Sequence, residues 1–193
     1  MNQHTTTDST PTEVDVLVVG AGFSGLRALQ HLREKGYTVH VIEAGDDVGG
    51  TWYWNTYPGA RVDIESLEYS YAFDDDLQQE WVWPERYAAQ SDVLRYLRHV
   101  ADRFDLRRDI TFGERVTSCV FDEGDGTWLI TTDTGAQWRS RFFIPAVGFL
   151  STPYIPEIEG LADFDGPVIH SAQWPREGID LTGKRVAIIG TGS

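Results

Sequence analysis

The chain has 193 residues, is 41% hydrophobic, and carries 16 basic against 30 acidic residues, a net charge of −14. That length holds one full domain, or one domain and part of another, around a real core. The acidic balance argues against nucleic acid, whose phosphates demand a basic face, and against adsorption to anionic membranes; its plainest meaning is solubility.

Residues 1–13 are polar, with neither a basic region nor an apolar stretch, and read as a disordered tail rather than a signal peptide. The organising stretch is 14–43. Val14, Val16, Leu17, Val18 and Val19 form a short run of the kind found in strands buried on both faces. Gly20-Ala21-Gly22-Phe23-Ser24-Gly25 follows at once and matches G-x-G-x-x-G. Leu26, Leu29 and Leu32 then recur near helical spacing up to Gly36. Val39, Val41 and Ile42 make a second strand, closed by Glu43. Gly20 permits the tight turn, Gly22 lets a pyrophosphate approach the backbone, and Gly25 lets helix and strand pack closely. The helix N-terminus offers N–H groups and partial positive charge to phosphates. Glu43 can accept hydrogen bonds from a ribose diol and would repel a ribose phosphate, so FAD or NAD is expected at this turn rather than NADP. The plain alternative is a structural glycine turn in an ordinary α/β domain.

A glycine-rich loop, 44–50, runs into Thr51-Trp52-Tyr53-Trp54. Three aromatics in four residues beside Gly49 and Gly50 suit either an aromatic minicore or a wall against a flat ring. Residues 64–73 are expected as a short helix or turn, and Asp74, Asp75 and Asp76 as a solvated loop. Ser91 can cap a helix whose apolar stripe is Val93, Leu94, Leu97, Val100, Ala101 and Phe104. From Ile110 the period changes to two. Residues 116–121, 127–132 and 138–143 are expected as three antiparallel strands, with turns at Asp125-Gly126 and Thr134-Gly135. Residues 142–148 look like a return strand to a parallel sheet. Arg185-Val186-Ala187-Ile188-Ile189 reads as another buried-type strand, entering Gly190-Thr191-Gly192-Ser193, the first half of a second glycine motif.

The lone cysteine, Cys119, excludes an intrachain disulfide and fits a reducing compartment; it reads as a buried, inert thiol. His4, His31, His40 and His99 are scattered and read as surface residues, so no metal site is expected. No apolar run is long enough to cross a bilayer, and a cytoplasmic location is expected.

Three motifs give the chain a resemblance to the N-terminal part of class B flavoprotein monooxygenases, most closely the Baeyer–Villiger monooxygenases of the cyclohexanone and phenylacetone monooxygenase type. They are the glycine motif at 20–25; Gly49-Gly50-x-Trp52-x-x-x-x-Tyr57-Pro58-Gly59-x-x-x-Asp63; and Phe164-x-Gly166-x-x-x-His170-x-x-x-Trp174-Pro175. The Trp174-Pro175 ending separates the third motif from those of flavin-containing and N-hydroxylating monooxygenases. One departure is Ala146-Val147-Gly148, where the family often has Ala-Thr-Gly. The resemblance implies an α/β, Rossmann-like FAD-binding domain over 14–152 with a parallel sheet and a small inserted antiparallel sheet at about 110–143. A linker bearing the fingerprint follows over 153–183, and then the truncated start of a second Rossmann domain, for NADP, over 184–193.

The same resemblance implies roles. Gly20, Gly22, Phe23, Ser24 and Gly25 line the FAD pyrophosphate, and Glu43 takes the adenosine ribose. Gly50, Thr51, Trp52, Tyr53 and Trp54 contact the flavin, with Tyr69 and Val116 as further candidates. Arg61 and Asp63 lie where the family approaches both flavin and nicotinamide. Asp63 is the catalytic candidate, paired in the family with an arginine absent from this sequence; its plain alternative is a helix cap for Ile64 onward. Gly190, Thr191, Gly192 and Ser193 belong to the NADPH site. His170 and Trp174 resemble residues that couple domain movement to catalysis. The implied reaction is conversion of a ketone to an ester or lactone with NADPH and O2. The family continues beyond the part this chain matches, so a fragment, or half of a two-chain enzyme completed by a second polypeptide, is the expectation. The alternatives are a flavin-containing or N-hydroxylating monooxygenase and a non-catalytic flavin-binding module.

Overall fold

Strand β1 (Thr12–Val19) is the first element in a computed structural model that describes residues 10–192. Thr12 and Glu13, expected in the tail, pair instead with Trp138 and Arg139; residues 1–9, also expected there, lie outside the described residues. After β1 come helix α1 (Phe23–Glu34), β2 (Val39–Ile42), the single turn α2 (Thr51–Trp54), α3 (Asp75–Glu80), α4 (Gln90–Arg103), and strands β3 (Ile110–Thr111), β4 (Val116–Asp122), β5 (Thr127–Thr132) and β6 (Gln137–Pro145). The strands form one mixed sheet in the order β3-β2-β1-β6-β5-β4. β2 pairs with β1 and β3 in parallel, β6 pairs with β1 in parallel, and β4-β5-β6 run antiparallel.

The α/β class and the parallel sheet are as expected. Three details differ. The antiparallel strands are not a separate inserted sheet, because the third of them and the expected return strand are one strand, β6, which pairs with β5 on one side and β1 on the other. Ile110 and Thr111, placed by the sequence in the antiparallel part, extend the parallel part beside Val41 and Ile42. Arg185–Ile189 joins no ladder among the described residues, and Val186, Ile188 and Ile189 are exposed. A strand needs a neighbour to satisfy its N–H and C=O groups, and no strand among the described residues pairs with it.

The chain divides into two compact units. One runs to Val48 and resumes over Ala101–Val147; the other comprises Gly49–Val100 and the chain from Gly148 onward. The first unit holds the sheet. Val16, Leu17 and Val18 are at most 2% exposed, as a strand covered on both faces requires. Leu17, Ile42 and Ile130 form a buried cluster, with Val14, Val116, Cys119, Trp128, Trp138 and Phe143 packed around it. Cys119 is only half-buried, and desolvation raises its thiol pKa. His40 is not a surface residue. Its ring stacks on Trp138 with centroids 4.2 Å apart, and its Nε2 is 2.8 Å from Thr111 Oγ1. Arg33 of α1 donates to the carbonyls of Phe104 and Asp105 and to the carboxylate of Asp109.

The second unit is organised by aromatic side chains. Tyr96, 1% exposed, accepts a hydrogen bond from the Tyr71 N–H at 2.8 Å and packs against Tyr71, Trp81 and Trp83. The acidic run expected as loop is the start of α3: the Asp74 carboxylate caps it by accepting from Leu77 N at 2.7 Å. No helix among the described residues is long and apolar enough to cross a membrane.

Leu17→Ala removes a fully buried side chain from the central cluster. It is expected to cost roughly 2–5 kcal/mol, read as a lower urea midpoint at unchanged slope. His40 supplies a pH test. Burial lowers its pKa below the ordinary 6.5, partly offset by the charges of Asp109 and Glu114. Below pH 6.5 the unfolded chain takes up a proton that the folded chain resists, so stability falls as pH drops through that range. His40→Asn is expected to lessen the loss of urea midpoint between pH 7.5 and 5.5; an identical loss in both proteins would contradict the assignment.

Candidate functional site

In the first unit the β1–α1 turn has the geometry that its glycines foretell. Gly20 adopts φ +101°, and a Cβ there would lie 2.6 Å from the carbonyl oxygen of Ala146 on the strand end beside it. A Cβ on Gly25 would lie 1.8 Å from the Gly20 carbonyl oxygen. Side chains at these two positions would break the turn. Gly22 occupies the N-cap position of α1, in an extended conformation, and supplies no side-chain cap. The first turn, with Phe23, Ser24 and Gly25, contains no acidic residue. A twelve-residue helix thus starts at a glycine with no acidic residue in its first turn, which leaves the positive end of its dipole without a neighbouring carboxylate in that turn and suits an anion.

Glu43 stands behind this turn, only 4% exposed. Its Oε2 accepts from Ala21 N at 2.6 Å and its Oε1 from Gly45 N at 2.7 Å. The carboxylate joins the glycine turn to the loop after β2. An ionised carboxylate has about four acceptor positions, so two remain for hydroxyl donors. Val116 packs its half-buried side chain on the Leu17–Ile42–Ile130 cluster.

In the second unit Gly50 is the N-cap residue of α2, with φ +54°. Trp52 and Tyr53 are buried, as an aromatic minicore requires, whereas Trp54 is 44% exposed. Trp52 donates from Nε1 to the Tyr69 hydroxyl at 3.1 Å, with the rings edge-on, and Gln90 Nε2 donates to the Trp52 carbonyl. Desolvation raises the Tyr69 phenol pKa; the Trp52 bond lowers it and the Asp63 charge adds to the rise. Asp63 is itself exposed, and residues 66–69 form a turn, so no helix begins at Ile64 for it to cap. Arg61 donates to Glu85 Oε2 and to the Tyr87 carbonyl, both at 3.0 Å. A cavity of about 250 Å³ is lined by Tyr57, Gly59, Ala60, Arg61, Ala89, Gln90 and Ser91.

Two residues of this unit escaped the sequence reading. Ser66, 2% exposed, accepts from Ala88 N and donates to the carbonyls of Glu85 and Arg86, fastening two loops. Thr56 has a buried hydroxyl with no hydrogen-bond partner among the described residues. Its place inside the Gly49–Asp63 motif was the available signal. In the fingerprint, His170 Nδ1 accepts from Ala172 N at 3.1 Å, capping a 3-10 turn (Ser171–Gln173), and Trp174 is half-buried. Gly190, Thr191 and Gly192 are exposed and lie in no regular element; Ser193 lies outside the described residues. No group of three or more metal-ligating side chains occurs among the described residues.

The residues present fit a dinucleotide: a helix that starts at a glycine with no acid in its first turn, glycines where Cβ atoms would collide, and an acidic acceptor with spare capacity. A family model described as flavin-binding monooxygenase-like matches residues 13–193. Acetone monooxygenase (methyl acetate-forming) of Gordonia sp. strain TY-5 is 46% identical over 182 residues, covering 94% of this chain and 34% of that protein. A phenazine N-monooxygenase of Lysobacter antibioticus is 44% identical over 187 residues, covering 96% and 34%. Among solved structures, cyclohexanone monooxygenase from Rhodococcus sp. Phi1 bound to NADP+ superposes with a TM-score of 0.87 at 47% identity, covering 95% of this chain and 35% of that one. The chain spans about a third of the length of the curated relatives it matches.

Glu43→Gln tests the clasp. The amide keeps one acceptor but turns an N–H2 donor toward a backbone N–H. The expected cost is about 1–3 kcal/mol of stability by urea unfolding; an unchanged midpoint would mean the two bonds contribute nothing.

Proposed function

We propose, from the premise that this chain belongs to the flavin-binding monooxygenase-like family, that it forms the FAD-binding portion of an NADPH- and O2-dependent enzyme converting ketones to esters or lactones. The observation that carries the reading is the glycine N-cap of α1, set between colliding glycine positions with the Glu43 carboxylate behind it.

Backbone N–H groups at Gly22, Phe23, Ser24 and Gly25 would hold the diphosphate, with Gly20 shaping the turn. Glu43 would use its remaining lone pairs for the ribose hydroxyls while keeping Ala21 and Gly45 in place. Gly50, Thr51, Trp52, Tyr53 and Trp54 would contact the flavin, Trp54 with its exposed ring, and Tyr69 would keep Trp52 in orientation. Val116 would be a further contact. Gly190, Thr191, Gly192 and Ser193 would meet the phosphates of the nicotinamide cofactor. When bound, FAD supplies hydride acceptance and the activation of dioxygen. This chain's task is orientation, exclusion of water and placement of charge. Asp63 is the catalytic candidate: an exposed carboxylate whose charge reaches the half-buried Tyr69 phenol can hold a cationic partner or a nicotinamide amide in register. Arg61 is restrained by Glu85 and would contribute charge from a fixed position. A cytoplasmic location, in keeping with one unpaired thiol, belongs to the same proposal.

Likeness to a phenazine N-monooxygenase favours oxygenation at a ring nitrogen as a second reading. The ketone reading is preferred because acetone monooxygenase and cyclohexanone monooxygenase both carry a ketone in their names.

Purified protein is expected to show flavin absorbance bands, and Gly25→Ala to lose them. A folded, colourless wild-type protein would overturn the cofactor assignment. In an enzyme containing this chain, Asp63→Asn is expected to lower ester formation from ketone by about 10²–10⁴-fold at unchanged flavin content. Mass spectrometry of products distinguishes an ester or lactone from an N-oxide.

A further inference from the structure

The turn α2 is four residues long, too short to be stable through its own hydrogen bonds. Its position must be imposed from outside. Gln90 holds the Trp52 carbonyl and Tyr69 holds the Trp52 indole. A third restraint comes from a different part of the chain. The guanidinium carbon of Arg176 lies 4.2 Å from the centroid of the Tyr53 ring, well inside the roughly 6 Å over which a cation is attracted to an aromatic face. The Tyr53 ring is 6% exposed and meets Trp54 edge-on, with centroids 4.9 Å apart. Arg176 itself is exposed and directly follows Trp174-Pro175. The proline fixes the backbone that delivers it. An exposed arginine that settles on a buried ring gives up rotamer freedom to do so.

We propose that Arg176 is a positioning residue: its guanidinium holds the Tyr53 ring by a cation–π contact and so fixes α2 for contact with the flavin ring. The linker bearing Phe164, His170 and Trp174 is thereby tied to the flavin-contacting turn through one side chain. The role rests on the FAD assignment above. It does not require Arg176 to touch the cofactor.

The test uses an enzyme containing this chain, with Arg176→Ala, Arg176→Met and Arg176→Lys. FAD dissociation constants are measured by fluorescence titration, and the visible spectrum of bound flavin is recorded. Arg176→Ala and Arg176→Met are expected to weaken FAD binding by about 2- to 5-fold and to alter the band shape. Arg176→Lys, which keeps the cation, is expected to stay within about twofold of wild type. Met restoring binding as well as Lys would reduce the contact to packing and overturn the proposal, as would an unchanged Ala variant. A double-mutant cycle with Tyr53→Leu, read by urea unfolding of the cofactor-free protein, is expected to give a coupling of about 2- to 5-fold in the unfolding constant. Coupling present while FAD binding and spectrum stay unchanged would overturn the positioning role alone. Wild-type protein that binds no flavin would overturn the cofactor reading together with it.

Discussion

A buried carboxylate must find donors, and Glu43 finds them in the backbone. Its two oxygens take the N–H groups of Ala21 and Gly45, so the charge at the end of β2 fixes both the turn before α1 and the loop that leaves the strand. An unpaired charge at 4% exposure would be strongly destabilising, and this one is paired only while the turn keeps its shape. Fold and site are therefore the same object here. The groups that would receive a dinucleotide are held by the interaction that makes burial of Glu43 tolerable.

The collisions at Gly20 and Gly25 act in the same direction. The carbonyl of Gly20 fills the space a Cβ at 25 would need, and the carbonyl of Ala146, just past β6, fills the space a Cβ at 20 would need. The end of the last strand thus sets the turn at the start of the first helix. β6 can do this because it pairs with β1 over seven positions in parallel while also closing the antiparallel hairpins. The mixed sheet is the means by which a residue far along the chain reaches the glycine turn.

The second unit relies less on backbone ladders and more on rings and single polar anchors. Tyr96 has its hydroxyl used by Tyr71 N and its ring used by three neighbours, and Ser66 ties together loops that share no strand. Aromatic rings give large contact area with few torsions to fix, which suits a region with little regular structure. It also explains how a one-turn helix can carry both core residues, Trp52 and Tyr53, and an outward one, Trp54.

By itself the sequence determined the α/β class, the β1–α1–β2 unit, the apolar stripe of α4, the antiparallel strands and the family. All of these rest on local pattern: period, glycine spacing and a carboxylate at a set distance. Tertiary structure alone decided what depends on partners distant in the chain. His40 looked like a surface residue because its stacking partner, Trp138, lies about a hundred residues on. Asp74 looked like part of a solvated loop because a short helix needs only one cap and little periodicity to form. Glu43 was legible as an acceptor, but its two backbone donors became visible only once the turn had closed on it. Arg185–Ile189 has the composition of a strand and is not one here, because a strand is a property of two segments and composition reports only on one.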